Sequence, residues 1–374
     1  MRISLALAVV EQQTEKRPQQ CRRCRARRFH RHRNRRRKVR DTRVERVRVV
    51  QYQCAHCQKT VTVYPKGITR AQQTQRLVML SVTLYGLGLS YDKVKAVLQA
   101  LEAKLSKGWI WHNVQEAGEQ AMRAMRSQQA RRCKITVLGA DETEMKAKGE
   151  GTTVGFVTDP KTGQIVGMEI LTSRDSEDFV RWLKTYAKRH GAKVVVTDDL
   201  DSYRLAAEEM QLEQQLCLAH FRKSVSRRLK KIEGYEEDKE LVRTAVKALT
   251  GQAKRCVKRL QRRYSNHSPP RKGERESPGY KMRMLTLEIL EKWNRLTLYQ
   301  RGHAQKDAFA RRVGPVAAVP ATNNATENAI GRGGKIRYRM MRGFKTVDSM
   351  LKTTAVVATL GGVLAGVTYQ SLFG

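Results

Sequence analysis

Apolar residues change their spacing three times along the chain. Val44, Val47, Val49 and Tyr52, then Val61, Val63 and Tyr64, stand at the near-alternate spacing of half-buried strands. Over Leu77–Tyr85, Tyr91–Leu105 and Val114–Met125 the spacing becomes helical, interrupted at Gly86-Leu87-Gly88 and at Lys107-Gly108. Ser90 is placed to cap the second of these helices, and Trp109 and Trp111 read as core anchors. From Lys134 short continuous apolar runs take over. Ile135–Leu138 predicts a strand ending at Asp141, and Thr153–Val157 and Ile165–Leu171 predict two more, joined by the turn Asp159-Pro-Lys-Thr-Gly163. Ser176–His190 aligns Phe179, Trp182, Leu183 and Tyr186 on one helical side, with Asp175 as its cap, and Lys193–Thr197 is a buried strand leading to Asp198-Asp199. Phe221–Arg263 and Lys281–Asp307 are helical and basic, split by the Pro- and Ser-rich loop Ser265–Pro278. Thr353–Val367 predicts a packed C-terminal helix, too short and too rich in Thr and Gly for a membrane span.

Charge changes this picture. The 374 residues leave room for two or three domains, and 74 Lys and Arg against 35 Asp and Glu give a net charge of +39 that calls for a polyanionic partner. A hydrophobic fraction of 40% excludes a disordered basic chain. Residues 1–70 alone hold 21 Lys and Arg against 4 acidic residues. The densest block, including Arg22, Arg23, Arg25, Arg27, Arg28, Arg35, Arg36 and Arg37, runs from Cys21 to Arg40, bracketed by Cys21-x2-Cys24 and Cys54-x2-Cys57. Two C-x2-C knuckles on strand ends can close a tetrahedral thiolate site suited to structural Zn2+, so residues 1–70 read as a basic zinc ribbon whose arginines contact nucleic-acid phosphates. His56 is a bystander in the second knuckle. Residues 71–130 read as a helix-turn-helix-like DNA-binding segment. With four of seven cysteines in knuckles and no cleavage site after the apolar Met1–Val10, the expected location is the cytoplasm, associated with the nucleoid, with no membrane contact.

The order strand, strand, strand, helix, strand is that of a ribonuclease H-like α/β core. Strands that end in acids hold those side chains on rigid backbone, and neighbouring strands can bring Asp141 and Asp198 to one cation. Phosphoryl transfer by two divalent ions needs a third carboxylate, for which Glu327 in Thr322-Asn-Asn-Ala-Thr-Glu327-Asn is the candidate, in a helix opened by a Thr or Asn cap. Arg332, Lys335 and Arg337 follow it as bases for DNA phosphates, and Glu142 is a structural neighbour.

GADET at 139–143, KAKG at 146–149, TSRDSEDF at 172–179, VVTDDLDSY at 195–203 and TNNATENAIGRGGKIRYRMMRGFKT at 322–346 together resemble bacterial insertion-sequence transposases of the DDE class over about two thirds of the chain. The resemblance implies Asp141, Asp198 and Glu327 as a triad for Mg2+ or Mn2+. It sets Asp199 aside, because the family pattern T-D-x-x-x-S-Y aligns with Thr197, Asp198, Ser202 and Tyr203. Cys217-x2-His220 matches the C-x2-H signature of Mutator-like transposases with all-helical insertions, where it supports the active site. One departure is Gly334, where the family often has Lys or Arg.

The expected architecture is therefore a zinc ribbon (1–70), a helical segment (71–130), a ribonuclease H-like core in two parts (131–220 and 313–374) and an all-helical insertion (221–312). The expected activity is cleavage and strand transfer on double-stranded DNA, at the element's terminal inverted repeats and at the target, by a homodimer or larger synaptic assembly. A DNA-binding regulator that no longer cleaves is the alternative.

Overall fold

The computed structural model describes residues 7–14, 16–69, 72–130, 134–172, 176–301, 318–341 and 343–373. It divides into two compact units, Met1–Ala124 with Arg332–Gly374, and Met125–Gly331.

The first unit begins with an antiparallel sheet of β1 (Phe29–Lys38), β2 (Arg46–Cys54) and β3 (Thr60–Val63), in that order. β1 is the basic block itself. No apolar alternation announces it, yet it pairs along β2 from Phe29 opposite Cys54 to Lys38 opposite Arg46, with a bulge between Arg31 and Arg33. Arg35 and Arg37 stand opposite Val49 and Val47, so their aliphatic stems share the face on which those valines pack with Val39, Val44, Tyr64 and Ile68. An edge strand this charged is also protected against pairing with another chain.

Asp41, in the turn after β1, ties this sheet to helix α1 (Gln75–Gly86). Its carboxylate accepts the N–H groups of Arg43 and Val44, each at 3.0 Å, the hydroxyl of Thr74 and the guanidinium of Arg76. Thr74 is the N-cap of α1 and accepts the Leu77 N–H at 3.2 Å. Helix α2 (Tyr91–Ala100) starts at Ser90, which caps it as expected, but stops before Leu105 because Glu102 turns left-handed at φ 62°. Helix α3 (Lys107–Ala130) starts seven residues before its first predicted apolar position, with Gly108 inside its first turn. Trp111 is 47% exposed and Trp109 is half-buried beneath the Arg40 guanidinium, so neither is the core anchor that their size suggested. The C-terminal helix spans Val347–Leu360 rather than Thr353–Val367, because Gly361 and left-handed Gly362 end it, and it is buried along most of its length.

In the second unit β4 (Val137–Ala147), β5 (Glu150–Asp159) and β6 (Gln164–Leu171) form an antiparallel meander. α4 (Ser176–His190), β7 (Val194–Thr197), α5 (Asp201–Glu209) and β8 (Glu213–Leu216) follow. The sheet order is β6-β5-β4-β7-β8, with β4, β7 and β8 parallel. This is a mixed α/β architecture. β8 (Glu-Gln-Gln-Leu) carries no apolar pattern, and its two glutamines are buried with hydrogen-bond partners. Gln214 donates to the Thr197 hydroxyl at 2.9 Å, and Gln215 accepts the Tyr299 N–H at 2.8 Å.

Four helices come next: α6 (Leu218–Leu229), α7 (Glu236–Ala248), α8 (Gly251–Arg263) and α9 (Pro278–Glu291). Left-handed Tyr235 and Leu249 break the run predicted over Phe221–Arg263, and the loop before α9 is irregular as expected. These helices share a core that includes Phe221, Val225, Val242, Leu260, Tyr264 and Met282. Two short turns, Trp293–Leu296 and Leu298–Arg301, follow, and the rest of the helix predicted to Asp307 lies outside the described residues, as does Asp175. The chain leaves the sheet at Leu218 and is back beside it at Ala321, where the Leu218 N–H donates to the Ala321 carbonyl at 3.0 Å. The short Glu327 helix (Asn324–Ile330) then packs on β4, β5 and β6.

Candidate active site

The register of the sheet assigns each acid a face. Gly139 pairs with Thr158 in β5, and a β-carbon on Gly139 would lie 2.2 Å from the Thr326 hydroxyl, so the Glu327 helix rests on the Gly139 side of β4. By strand alternation Asp141 points to that same side and Glu142 to the other. Gly155, opposite Glu142, lies against Trp182 of α4, which confirms which helices cover the second face. Glu142 there accepts the buried Tyr203 hydroxyl at 2.6 Å, consistent with a structural role.

β4 does not end at Asp141 but runs six residues further, because beyond its parallel pairing with β7 it stays paired with β5 as far as Ala147. Asp141 is thus held in mid-strand. In the parallel register Gly139 faces Val196, so Asp141 and Asp198 stand two residues further along adjacent strands. Asp198 lies just past the end of β7, and its buried Oδ1 has no hydrogen-bond partner among the described residues. Burial, with repulsion from Glu142 and Asp199, pushes its carboxyl up to about 6, against the attraction of His220 and the Leu200 N–H. A buried carboxylate oxygen without a donor suits a bound divalent cation. Asp199 turns elsewhere, accepting a 2.5 Å hydrogen bond from Lys292.

Glu327 meets a different pair. Cys217 is the N-cap of α6 and His220 lies three residues on, the spacing that puts both on one side of the helix. The Glu327 carboxylate is 3.6 Å from His220 Nδ1, and the ligand atoms of Cys217, His220 and Glu327 all lie within 4.8 Å of one another. Among the described residues the carboxylates of Asp141, Asp198 and Glu327 do not form such a group. Asn323 occupies the N-cap of the Glu327 helix but does not cap it with its side chain. Its amide donates to the Ala140 carbonyl at 2.9 Å and its backbone N–H to Cys217 Sγ at 3.3 Å, pinning the helix start between β4 and α6. The Thr326 and Thr158 hydroxyls are 2.7 Å apart. Sequence reasoning did not single out Asn323, Thr326 or Thr158. Gly139 in GADET was the available signal, a small residue where a helix must approach a strand closely.

The four cysteines of the two C-x2-C pairs converge as their spacing predicts. All four sulfurs lie within 4.8 Å of one another, with Cys21 to Cys57 and Cys24 to Cys54 each at 3.5 Å. Both knuckles turn alike, with left-handed Arg25 and Gln58 each four residues after the first cysteine. The N–H groups of Cys24 and Arg23 favour the Cys21 thiolate and lower it to about 6. The Ala26 N–H favours ionisation of Cys24, but burial and the three neighbouring sulfurs outweigh it and push the thiol up to about 12. Four thiols this close cannot all ionise without a cation among them, which fits a thiolate-bound metal.

Around this centre Arg22, Arg23, Arg25, Arg27, Arg28, Arg35 and Arg36 are exposed and Arg37 is half-buried. Arg332 donates to the Gly361 carbonyl at 2.6 Å and remains exposed, and Lys335 is half-buried. Arg337 is buried, donating to the Leu89 carbonyl at 2.8 Å with its guanidinium 4.2 Å above the Tyr85 ring, so its charge is committed within the fold. No helix among the described residues is long and apolar enough to cross a membrane.

A family model described as "Transposase IS66 family" matches residues 71–350 of the chain. No curated protein matches it.

Proposed function

Because the chain belongs to the IS66 family of transposases, we propose that it is a DDE-class transposase that cuts and joins DNA at the terminal inverted repeats of an insertion sequence. The observation that carries this reading is that Asp141 in β4 and Asp198 just past the end of β7 each follow the parallel pair Gly139–Val196 by two residues, with the Glu327 helix seated on the Asp141 face of the same sheet. A central antiparallel meander extended by two parallel strands is also the strand order expected of a ribonuclease H-like core, into which α6–α9 are inserted.

Asp141, Asp198 and Glu327 would hold Mg2+ or Mn2+, which supplies activation of a water or a DNA 3'-hydroxyl and stabilisation of the leaving oxygen. Asp141 fixes one ligand on rigid strand backbone, and Asp198 offers its unpartnered oxygen. Glu327, whose side chain is 40% exposed beside His220, would supply the third carboxylate. The four cysteines would hold a structural Zn2+, and the exposed arginines around them would grip the phosphates of the element ends, with Arg332 and Lys335 as further phosphate contacts. Two ends must be cut and joined together, so the working form is a homodimer or larger assembly in the cytoplasm, on the nucleoid.

The experiment is strand cleavage and transfer with Mg2+, a labelled DNA bearing the element's ends and a target plasmid, comparing wild type with Glu327→Gln. The wild type should cut and join while the variant only binds. If the wild type also merely binds, the chain is a DNA-binding regulator.

A further inference from the structure

We infer that Cys217, His220 and Glu327 form a three-ligand Zn2+ site, separate from the four-cysteine centre, and that zinc held there withdraws Glu327 from Asp141 and Asp198. The site itself stands on the geometry alone; the withdrawal rests on the reading under Proposed function.

The donor set decides the ion. A thiolate, an imidazole and one carboxylate suit a borderline-soft ion such as Zn2+, whereas Mg2+ takes oxygen ligands and keeps its waters. Cys217 is 1% exposed and its sulfur is oriented by the Asn323 N–H, so it offers a fixed ligand at the floor. The side chains of His220 and Glu327 are 48% and 40% exposed, which leaves the ion a path in and a fourth position open to solvent. Zn–S bonds of about 2.3 Å and Zn–N or Zn–O bonds of about 2.0–2.2 Å set tetrahedral ligand atoms roughly 3.3–3.7 Å apart. His220 Nδ1 and Glu327 Oε1 are already 3.6 Å apart, and no pair in the trio exceeds 4.8 Å, so side-chain adjustment of about 1 Å completes the sphere. On binding, the Cys217 thiol gives its proton to solvent as the sulfur–zinc bond forms, and neutral His220 donates a ring lone pair.

The Glu327 carboxylate therefore belongs to two donor sets of opposite preference. The oxygen-only pair Asp141 and Asp198 claims it for a hard cation, and the Cys217–His220 pair claims it for a soft one. Zinc at the second set would act as a metal-selective brake on the first.

The test uses the full chain, stripped of metal, reloaded with excess Zn2+ and freed of unbound ion, with zinc counted per chain. Wild type should retain two zinc ions and His220→Ala one. Because His220 is exposed, this substitution spares the fold, whereas Cys217→Ala serves as a second reading and is checked by circular dichroism. With Co2+ in place of zinc, affinity at the second site should fall in each variant by more than the roughly 10- to 100-fold that loss of an outer-shell partner causes. The same zinc count in wild type and His220→Ala overturns the site, whatever the four-cysteine centre contributes. In Mg2+, cleavage by wild type should fall as the second zinc loads, and cleavage indifferent to it overturns the withdrawal of Glu327. If Glu327→Gln still cleaves DNA, the acidic-triad reading fails, while the zinc count continues to report on the three-ligand site.

Discussion

Gly139 and Thr326 touch so closely that the strand carrying Asp141 and the helix carrying Glu327 have no room for a side chain between them: a β-carbon on Gly139 would lie 2.2 Å from the Thr326 hydroxyl and 2.7 Å from that of Thr158. The seating of that helix is therefore set by the absence of one methyl group. Gly139→Ala should lift the helix, costing about 1–3 kcal/mol as overpacking does. Strand cleavage should fall further than stability does. Urea denaturation beside a cleavage assay checks this, and full cleavage in the variant would show that the close approach does not position Glu327.

Asp198 carries an opposite balance. Its buried oxygen lacks a donor and its charge is repelled by Glu142, so the folded protein gives up stability to keep it ionised. Asp198→Asn should abolish cleavage, leave DNA binding intact and, in EDTA, raise the unfolding free energy by about 1–3 kcal/mol. A variant that is less stable than wild type in EDTA would mean that Asp198 already has its partners within the protein.

Asp41 predicts a pH dependence. Burial opposes its ionisation, but Arg76, Thr74 and the Arg43 N–H together hold its carboxyl below the usual carboxylate range. A depressed folded value contributes stability that is fully present above the unfolded value of about 3.9 and is lost as pH falls through the folded one. Asp41→Asn should destabilise the first unit by about 3 kcal/mol near neutrality, because it leaves the Arg76 charge without its partner. The gap between wild type and variant should narrow below about pH 4, which unfolding curves across that range would read out.

The four-cysteine centre gives a prediction in two parts. Cys54→Ser should release zinc, counted with a chromophoric chelator, and weaken binding to the element ends while the Met125–Gly331 unit stays folded. Arg35→Ala with Arg36→Ala should keep the zinc and lower the slope of log affinity against log salt by up to about 2. An unchanged slope would place the DNA elsewhere than on β1.

What the sequence disclosed, and what it hid, follows from the kind of contact involved. The knuckle cysteines, the helix at Ser176–His190 and the buried strand before Asp198 were legible because local spacing encodes them. β1 was not, since Phe-His-Arg-His-Arg-Asn-Arg-Arg-Arg-Lys becomes a strand only through its partner β2, and arginine stems replace the apolar face that alternation looks for. β8 escaped notice for a related reason, its glutamines being buried by hydrogen bonds rather than by hydrophobicity. Asp141 looked like a strand end because the apolar run stops there, although antiparallel pairing with β5 carries the strand on to Ala147. The proximity of Glu327 to Cys217 and His220 joins positions more than a hundred residues apart, and no local pattern could announce it.

The hydrogen bond between Leu218 and Ala321 has a consequence for how such a chain can change over time. The segment between those residues leaves and rejoins the sheet at one point and is tied to it near its end by Lys292 on Asp199 and Tyr299 on Gln215, so the outer helices α7 and α8 can grow or shrink while those ties keep their place beside Asp198. The sheet and the outer part of the inserted module can then vary at different rates, while the stretch that carries Lys292 and Tyr299 varies with the sheet.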